Sequence, residues 1–437
     1  MPLHRVVIVG GGFGGLQAAL ALGRAPVEVT LVDRRNFHLF QPLLYQVATG
    51  GLSPANIAAP LRGVLHRQKN TRVVLGEVTG FDVSGRRVLL DGGGALPFDS
   101  LIVASGSSHS YFGHDDWEKF APGLKTVEDA TAMRRRILIA FEEAEKAATP
   151  EERTAWLTFV LVGGGPTGVE LAGAIGELAH WTFRDNFRAI DPARARILVI
   201  EGNDRILPTY PPDLSAKAVR SLQRLGAEVM TSALVVDVRP DGVTVRHAAG
   251  KSGDPAARDE RIVSRTVLWS AGVAASPLGK RIAEACGATT DRAGRVTVQP
   301  DLTLPGHPEI FVAGDLAIVR GTDGQPLPGV AQVAIQEGRY AARLIAARLE
   351  GRTLPPFRYN DLGIMATIGR AAAVAVIRGR HLWGYPAWLA WLFIHLTWLV
   401  QFESKLLVLT QWAWNYITRN RSARLITGGS GDERIAA

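Results

Sequence analysis

Two glycine-rich loops constrain this chain more than any other feature. The first is VVIVGGGFGG, residues 6–15, and the second is FVLVGGGPTGVE, residues 159–170. Each follows a short β-branched run and opens a helix-like stretch. Gly10, Gly12 and Gly15 in the first, and Gly163, Gly165 and Gly168 in the second, fit G-x-G-x-x-G. In that spacing the first glycine permits a tight turn, the second lets backbone approach a pyrophosphate, and the third lets helix pack closely on strand. The phosphates then lie on a helix N-terminus, where free N–H groups and the dipole favour an anion. One such loop says little. Two predict a chain that binds two dinucleotides at once, as electron transfer between them requires.

Each loop needs an acid at the end of its next strand. VEVTLVD ends at Asp33, followed by Arg34, and ARILVIE ends at Glu201. Glu201 lies farther from its loop than usual, and the stretch from Asp185 to Pro192 supplies the longer crossover. An acid in this place accepts a hydrogen bond from a ribose 2′-OH and repels a 2′-phosphate. Glu201 therefore predicts NADH over NADPH, with Arg205 nearby acting against that preference. Two strand endings repeat loosely, Ala104-Ser105-Gly106 and Ser270-Ala271-Gly272. A later strand, PEIFVAGDLA, runs into Gly314-Asp315 and is expected to return the chain to the first domain. The predicted organisation is α/β with two Rossmann-like dinucleotide-binding domains: a discontinuous first domain, 1–115 with 295–380, and a second at 155–280. A helical connector over 120–156 joins them, and 250–258 reads as a polar hairpin loop. Asp315 reads either as a helix N-cap or, the favoured reading, as a ligand of a flavin's ribityl chain.

Composition narrows the chemistry. The 437 residues suffice for two or three domains with ample core. The single cysteine, Cys286, excludes an intramolecular disulfide and any C-x-x-C redox pair. The ten histidines show no metal-ligand spacing, and the apolar run at Val6 is too short for a signal peptide. A net charge of +8 suits anionic cofactors and an anionic membrane surface. The basic residues are dispersed without aromatic interleaving, which disfavours nucleic acid.

A helix is expected from near Gly329, reading GVAQVAIQEGRYAARLIAARL. Gln332 and Gln336 are four apart and so share a face, among small and apolar neighbours that predict burial. Buried amides need partners, and a flavin or quinone carbonyl would serve. Near the C-terminus, residues 382–402 contain no Asp, Glu, Lys or Arg, and six of the ten tryptophans lie between Trp383 and Trp414. Pro386, the spread of the tryptophans and basic residues on both sides favour a helix lying in a membrane interface. A span, or a core or dimer contact, is the alternative. In the next stretch Ser404, Gln411, Asn415 and Arg419 fall along one helical face, with leucines and aromatics elsewhere. That pattern predicts an amphipathic membrane-surface helix. Residues 381–427 thus form an expected anchor region, and 428–437 an expected disordered tail.

Taken together, these residues resemble the type II, non-proton-pumping NADH:quinone oxidoreductases from end to end. The matching pieces are GGGFGG at Gly10, FHLFQPLLYQVATG at Phe37, LVGGGPTGVELAG at Leu161, IFVAGDLA at Ile310, AQVAIQ at Ala331, MATIGRAAAVA at Met365 and LLVLTQWAWNYIT at Leu406. AQVAIQ and the Trp-rich tail are the specific ones. The resemblance implies a glutathione-reductase-like arrangement with FAD on the first loop and NADH on the second. Gly10, Gly12, Gly14, Asp33, Gly314 and Asp315 carry over as FAD ligands, with Gly15, Arg34 and Ala104 beside them. Gly163, Gly165, Gly168 and Glu201 carry over to NADH, with Gly272 at the strand end. Glu170 matches a glutamate at the nicotinamide–flavin junction, although a first-turn acid facing the helix dipole reads equally simply. Gln332 and Gln336 match the quinone-side glutamines. Arg370 stands where a basic residue pairs with substrate or faces solvent. Phe402-Glu403-Ser404-Lys405 departs from the more basic link expected between the two anchoring helices.

The implied reaction passes a hydride from NADH to FAD and then two electrons to a membrane quinone, ubiquinone or menaquinone. It does so without proton pumping, from the cytoplasmic face of the inner (plasma) membrane. The N-terminus of the helix near Gly329 would face the flavin pyrimidine. Two other readings share the loops: an NADH oxidase or diaphorase using oxygen or a soluble acceptor, and a non-catalytic NADH-sensing flavoprotein. Homodimerisation through the C-terminal region is left open by the sequence.

Overall fold

The computed structural model describes residues 3–248 and 258–427. The chain divides into two compact units, 1–39 with 58–108 and 273–361, and 40–57 with 109–272 and 362–437.

The first unit is built on a six-stranded sheet. Its order is Thr303–Leu304, His307–Val312, Ser100–Val103, His4–Val9, Val27–Asp33, Thr71–Leu75. All neighbours are parallel except the first pair. Strand His4–Val9 is the turning point of the order, with Val9 opposite Val32 on one side and Val103 on the other. In open α/β sheets a ligand crevice forms beyond the carboxyl end of such a strand, and Gly10 stands there. The continuous apolar runs of these strands suit a parallel sheet covered on both faces. One layer of that core contains Val7, Val9, Val32, Leu101, Val103, Ile310 and Val312.

The second unit repeats the plan with four parallel strands in the order Ala227–Thr231, Arg196–Glu201, Thr158–Val162, Thr266–Trp269. Again the loop-bearing strand is the turning point, with Val162 opposite Ile200 and Trp269. An antiparallel sheet of Ala233–Arg239, Gly242–His247 and Arg258–Val263 flanks it. The predicted polar hairpin at 250–258 lies, except for Arg258, outside the described residues, as does the tail 428–437. The connector is two helices, Val127–Lys146 and Pro150–Trp156. It starts at 127 rather than 120 because Thr126 and Asp129 form a reciprocal capping box.

The compact units part the chain differently from the expected domain limits. Residues 273–280 belong to the first unit, and residues 40–57, 109–115 and 362–380 to the second. There the short helix Leu44–Ala48 packs on Val127–Lys146 and on the second loop's helix, Pro166–Glu177. The sheet Ile364–Thr367, Ala373–Ile377, Arg380–Trp383 packs on Pro166–Glu177 and on Gly384–Trp398.

The C-terminal region forms two helices, Gly384–Trp398 and Phe402–Thr418. Among the described residues no helix is long and apolar enough to cross a membrane. Of the polar face predicted on the second helix, Ser404, Gln411 and Asn415 turn toward the protein, whereas Arg419 lies just past the helix end and is exposed. Asn415 donates to the Gly51 carbonyl, Gln411 donates to Ser422, and Ser404 is buried. Val408 and Trp412 are buried beside this row, while the other large apolar side chains point outward. Phe402 is 80% exposed and Ile417 77%, with Leu406, Leu407, Leu409 and Trp414 also exposed. On the first helix Tyr385, Leu389 and Phe393, spaced by four, form a second exposed stripe.

Candidate functional site

The two loops share the same backbone plan. Gly10 and Gly163 have φ of +102° and +107°, open to glycine alone at little cost. Gly10 N–H donates to Val32 O and Gly163 N–H to Ile200 O, each at 2.8 Å. A β-carbon on Gly15 would stand 1.8 Å from Gly10 O, and one on Gly168 2.0 Å from Gly163 O. Helix and strand therefore approach as closely in both places as a missing side chain allows. A β-carbon on Gly12 or Gly165 would meet no protein atom within 4 Å. Each loop thus leaves room on the side where a pyrophosphate is expected. Helices Phe13–Ala21 and Pro166–Glu177 begin directly after these open positions, with Gly12 and Gly165 as extended N-caps. Neither N-cap offers a side-chain hydrogen bond, so the first N–H groups are available to an anion.

The acids do more than the sequence reading assigned them. Asp33 Oδ2 accepts the Gly11 N–H at 2.5 Å, and Glu201 Oε2 accepts the Gly164 N–H at 2.7 Å. The second oxygen of each takes the backbone N–H two residues on, from Arg35 and Asn203. Asn203 Nδ2 also donates to Glu201 Oε1. Each acid therefore locks the middle of its own loop and keeps lone-pair capacity for a ribose. Arg205 turns away to donate to the Pro208 carbonyl. Arg34 is exposed at the first acid.

Around the first loop, the Ala104 carbonyl lies where a Gly10 β-carbon would go. Helix Ala331–Leu349 packs across helix Phe13–Ala21, with Gly338 against the Gly14 backbone. This helix begins at Ala331, two residues later than expected, because Val330 is extended. Asp315 is not its N-cap. It sits in the turn Gly314–Leu316 and accepts a 2.6 Å bond from the Ser107 hydroxyl. Gln332 and Gln336 are both half-buried. Gln336 exchanges two 2.9 Å bonds with the backbone of Asn360, so its amide first fixes its own unit. Two further residues escaped the sequence reading. Buried His38 bonds the Gly11 carbonyl through Nδ1 at 3.0 Å and meets Phe13 edge-on. Glu337, 1% exposed, accepts the Gly314 N–H at 2.5 Å. Burial chiefly, with the Asp315 charge adding to it, pushes Glu337 up to about 8. The sequence marks the turn around Gln332 as buried but carries no sign that the carboxyl after Gln336 is.

In the second unit Glu170 lies in the second turn of Pro166–Glu177. Part of its surface stays open, but protein atoms crowd the carboxyl and desolvation pushes it up to about 8. Its one backbone bond, 3.4 Å from the Thr367 N–H, opposes that shift weakly. Buried Tyr45 and Tyr210 are raised by desolvation and then by the Glu170 charge. A hydrogen-bonded row runs outward from there: Tyr45 to Thr367 Oγ1, Gln46 to Tyr45, and Trp412 to Gln46 at 2.7 Å. Gly272, at φ +74°, packs against Ser110. Arg370 is exposed, with its N–H on Glu177 and its guanidinium 4.1 Å over the Tyr416 ring, so it braces helix Phe402–Thr418.

Room and donors for two dinucleotides are thus present, while the one thiol, Cys286, is pushed up to about 11 by burial and is no thiolate at neutral pH. Residues 4–338 match the pyridine nucleotide-disulphide oxidoreductase family, so the chain belongs to that class of two-dinucleotide proteins. Within the class it is 47% identical to the Mycobacterium tuberculosis type II NADH:quinone oxidoreductase Ndh, over 97% of this chain and 90% of that relative. It is 48% identical to NdhA of the same organism, over 97% of this chain and 89% of that relative. In fold it resembles the solved NDH2 of Plasmodium falciparum in complex with NADH. That match has a TM-score of 0.86 at 20% identity, over 97% of this chain and all of the other. The chain is a member of the type II NADH:quinone oxidoreductase family.

Proposed function

We propose that this chain oxidises NADH and reduces a membrane quinone through a bound FAD, without pumping protons. The observation that carries the reading is the pair of matched dinucleotide cradles in one member of this family. The first unit holds FAD through Gly10, Gly12, Gly14, Gly15, Asp33, Arg34, Ala104, Gly314 and Asp315. The second holds NADH through Gly163, Gly165, Gly168, Glu201 and Gly272. Bound flavin supplies the capacity to take a hydride and release two electrons. The protein residues bind, orient and manage protons. NADH, a proton and a quinone become NAD⁺ and a quinol, so one proton must come from outside the nicotinamide. Glu170, protonated at neutral pH by its desolvation, is the group fitted to store it. Gln332 orients a quinone carbonyl, and Gln336 holds the 360 loop beside it. The exposed apolar stripes of the two C-terminal helices rest on a membrane surface, which we place at the cytoplasmic face.

The test is NADH oxidation by the flavin-loaded protein in detergent, with a short-chain quinone, with oxygen alone, and with NADPH in place of NADH. Fast quinone-dependent turnover specific to NADH is expected. Rapid flavin reduction without quinone turnover would replace this reading with the diaphorase or sensor.

A further inference from the structure

The parallel sheet of the first unit ends in a way that leaves one amide to be accounted for. Ala313 N–H makes the last ladder bond, to Val103 O. The chain then turns at Gly314, φ +73°, and the Gly314 N–H leaves the sheet. Backbone amides taken from water need a partner. The partner is a side chain, the Glu337 carboxyl on helix Ala331–Leu349. That helix is fixed in turn by contact of Gly338 with the Gly14 backbone, where a β-carbon would stand 2.0 Å from Gly14 O. Glu337 therefore ties the turn carrying Asp315 to the helix that follows the first glycine loop.

We propose that Glu337 is a positioning residue for the flavin: its carboxyl, bonded to the Gly314 amide, holds the turn that aims Asp315 at the cofactor. This rests on the reading of the first loop as the FAD site. Glu337 itself makes no contact with the cofactor. It acts through Gly314 and Asp315. Its surroundings make the hold depend on charge. Asp315 is the charged group of the turn packed against it, and helix Phe13–Ala21 has no titratable side chain. On its own helix the next charge, Arg339, is turned to Gln17. No cation among these balances a Glu337 carboxylate. Protonated, Glu337 accepts the Gly314 N–H without a second negative charge beside Asp315. Ionised, it adds a second negative charge within electrostatic reach of Asp315, next to a cofactor that is itself an anion.

The experiment follows FAD release from the purified holoenzyme on dilution, read by the fluorescence of free flavin, at pH 6.5 and pH 9. Wild type should release FAD about tenfold faster at pH 9, the weight of one pK unit of like-charge coupling. E337Q keeps the acceptor and cannot ionise, so its release should be slow at both values. E337L should release about ten- to a hundredfold faster at pH 6.5, the usual cost of leaving a buried amide such as that of Gly314 without its partner. The proposal is overturned if E337L holds FAD like wild type, or if E337Q keeps the wild-type pH response. Should E337L not fold, the comparison of E337Q with wild type still decides. A wild-type protein that carries no FAD at either pH overturns the reading of the first loop itself.

Discussion

The two glycine loops agree in every backbone bond that forms the cradle and differ in what pins the middle carbonyl. In the first, Gly11 O is held by the His38 ring, while in the second, Gly164 O is held by the Leu207 backbone N–H at 2.8 Å. A cradle made by glycines and a strand-end acid is thus a backbone device. What surrounds it is free to differ, and the first loop has a side chain where the second has main chain. Each unit also keeps one carboxyl near 8, Glu337 in the first and Glu170 in the second. The first is sealed on an amide and the second is only loosely bonded, as a structural group and a proton store should differ.

The strongest way to break the comparison is to damage one cradle at a time. Gly168→Ala puts a β-carbon 2.0 Å from backbone. It should slow flavin reduction by NADH on the order of a hundredfold, the scale of a misplaced reactant, while the flavin spectrum persists. Gly15→Ala makes the equivalent collision in the first loop and should yield protein without flavin. Loss of flavin from both variants would mean that the two cradles are not separate sites.

Next in size is Glu170→Gln, expected to slow quinone reduction about a hundredfold, the lower range for a lost general acid, in stopped-flow reoxidation of the reduced enzyme. Wild-type reoxidation should fall as pH rises through about 8, and the variant should lose that limb. Stability should move the same way. A carboxyl raised in the folded state keeps its proton between the unfolded value near 4.5 and about 8, where the unfolded chain has lost its own. The folded state binds more protons there, so its stability declines across that window as pH rises. Glu337 adds in the same sense. A wild-type melting temperature that does not fall from pH 6 to pH 9, or an undiminished fall in both glutamine variants, would contradict both assignments.

A smaller effect separates the units by surface. Only the second carries the exposed stripes of Tyr385, Leu389 and Phe393 and of Phe402, Leu406 and Ile417. Phe393→Asp with Ile417→Asp should weaken cosedimentation with anionic lipid vesicles more than tenfold, the loss expected when two large apolar side chains leave the interface. Detergent activity should be unchanged. Unaltered vesicle binding would remove these helices from the membrane contact.

The same helices illustrate what was legible beforehand. Their existence, their apolar bias and the polar row Ser404, Gln411, Asn415 follow from helical spacing. Which row faces the protein does not, because Asn415 and Gln411 find partners at Gly51 and Ser422 that local sequence cannot reveal. The strands, loops and acids were readable because each rests on a short-range rule. The double duty of Asp33 and Glu201 as loop locks, the engagement of Gln336 by Asn360, and the burial of Glu337 depend on residues brought in from elsewhere in the chain. Helical periodicity places Glu337 on a face, but only packing against Gly14 makes that face an interior.

The finest test lies at the difference between the loops. His38→Leu removes the donor to Gly11 O and should speed FAD release about three- to tenfold, the usual net worth of one neutral hydrogen bond. Because the Gly11 carbonyl can only accept, Nδ1 must carry the proton in this bond. Burial lowers the His38 pKa, which favours the neutral ring that this bond requires. The unfolded chain then binds the extra proton first, and the stability this neutral ring contributes is lost as pH falls below the ordinary value of 6.5. No such acid limb should arise at the second loop, where Leu207 offers only backbone. NADH affinity of the His38→Leu variant should therefore equal wild type at every pH. If NADH binding fell together with FAD binding, the histidine would be supporting more than its own loop, and the independence of the two cradles would fail at its least disruptive point.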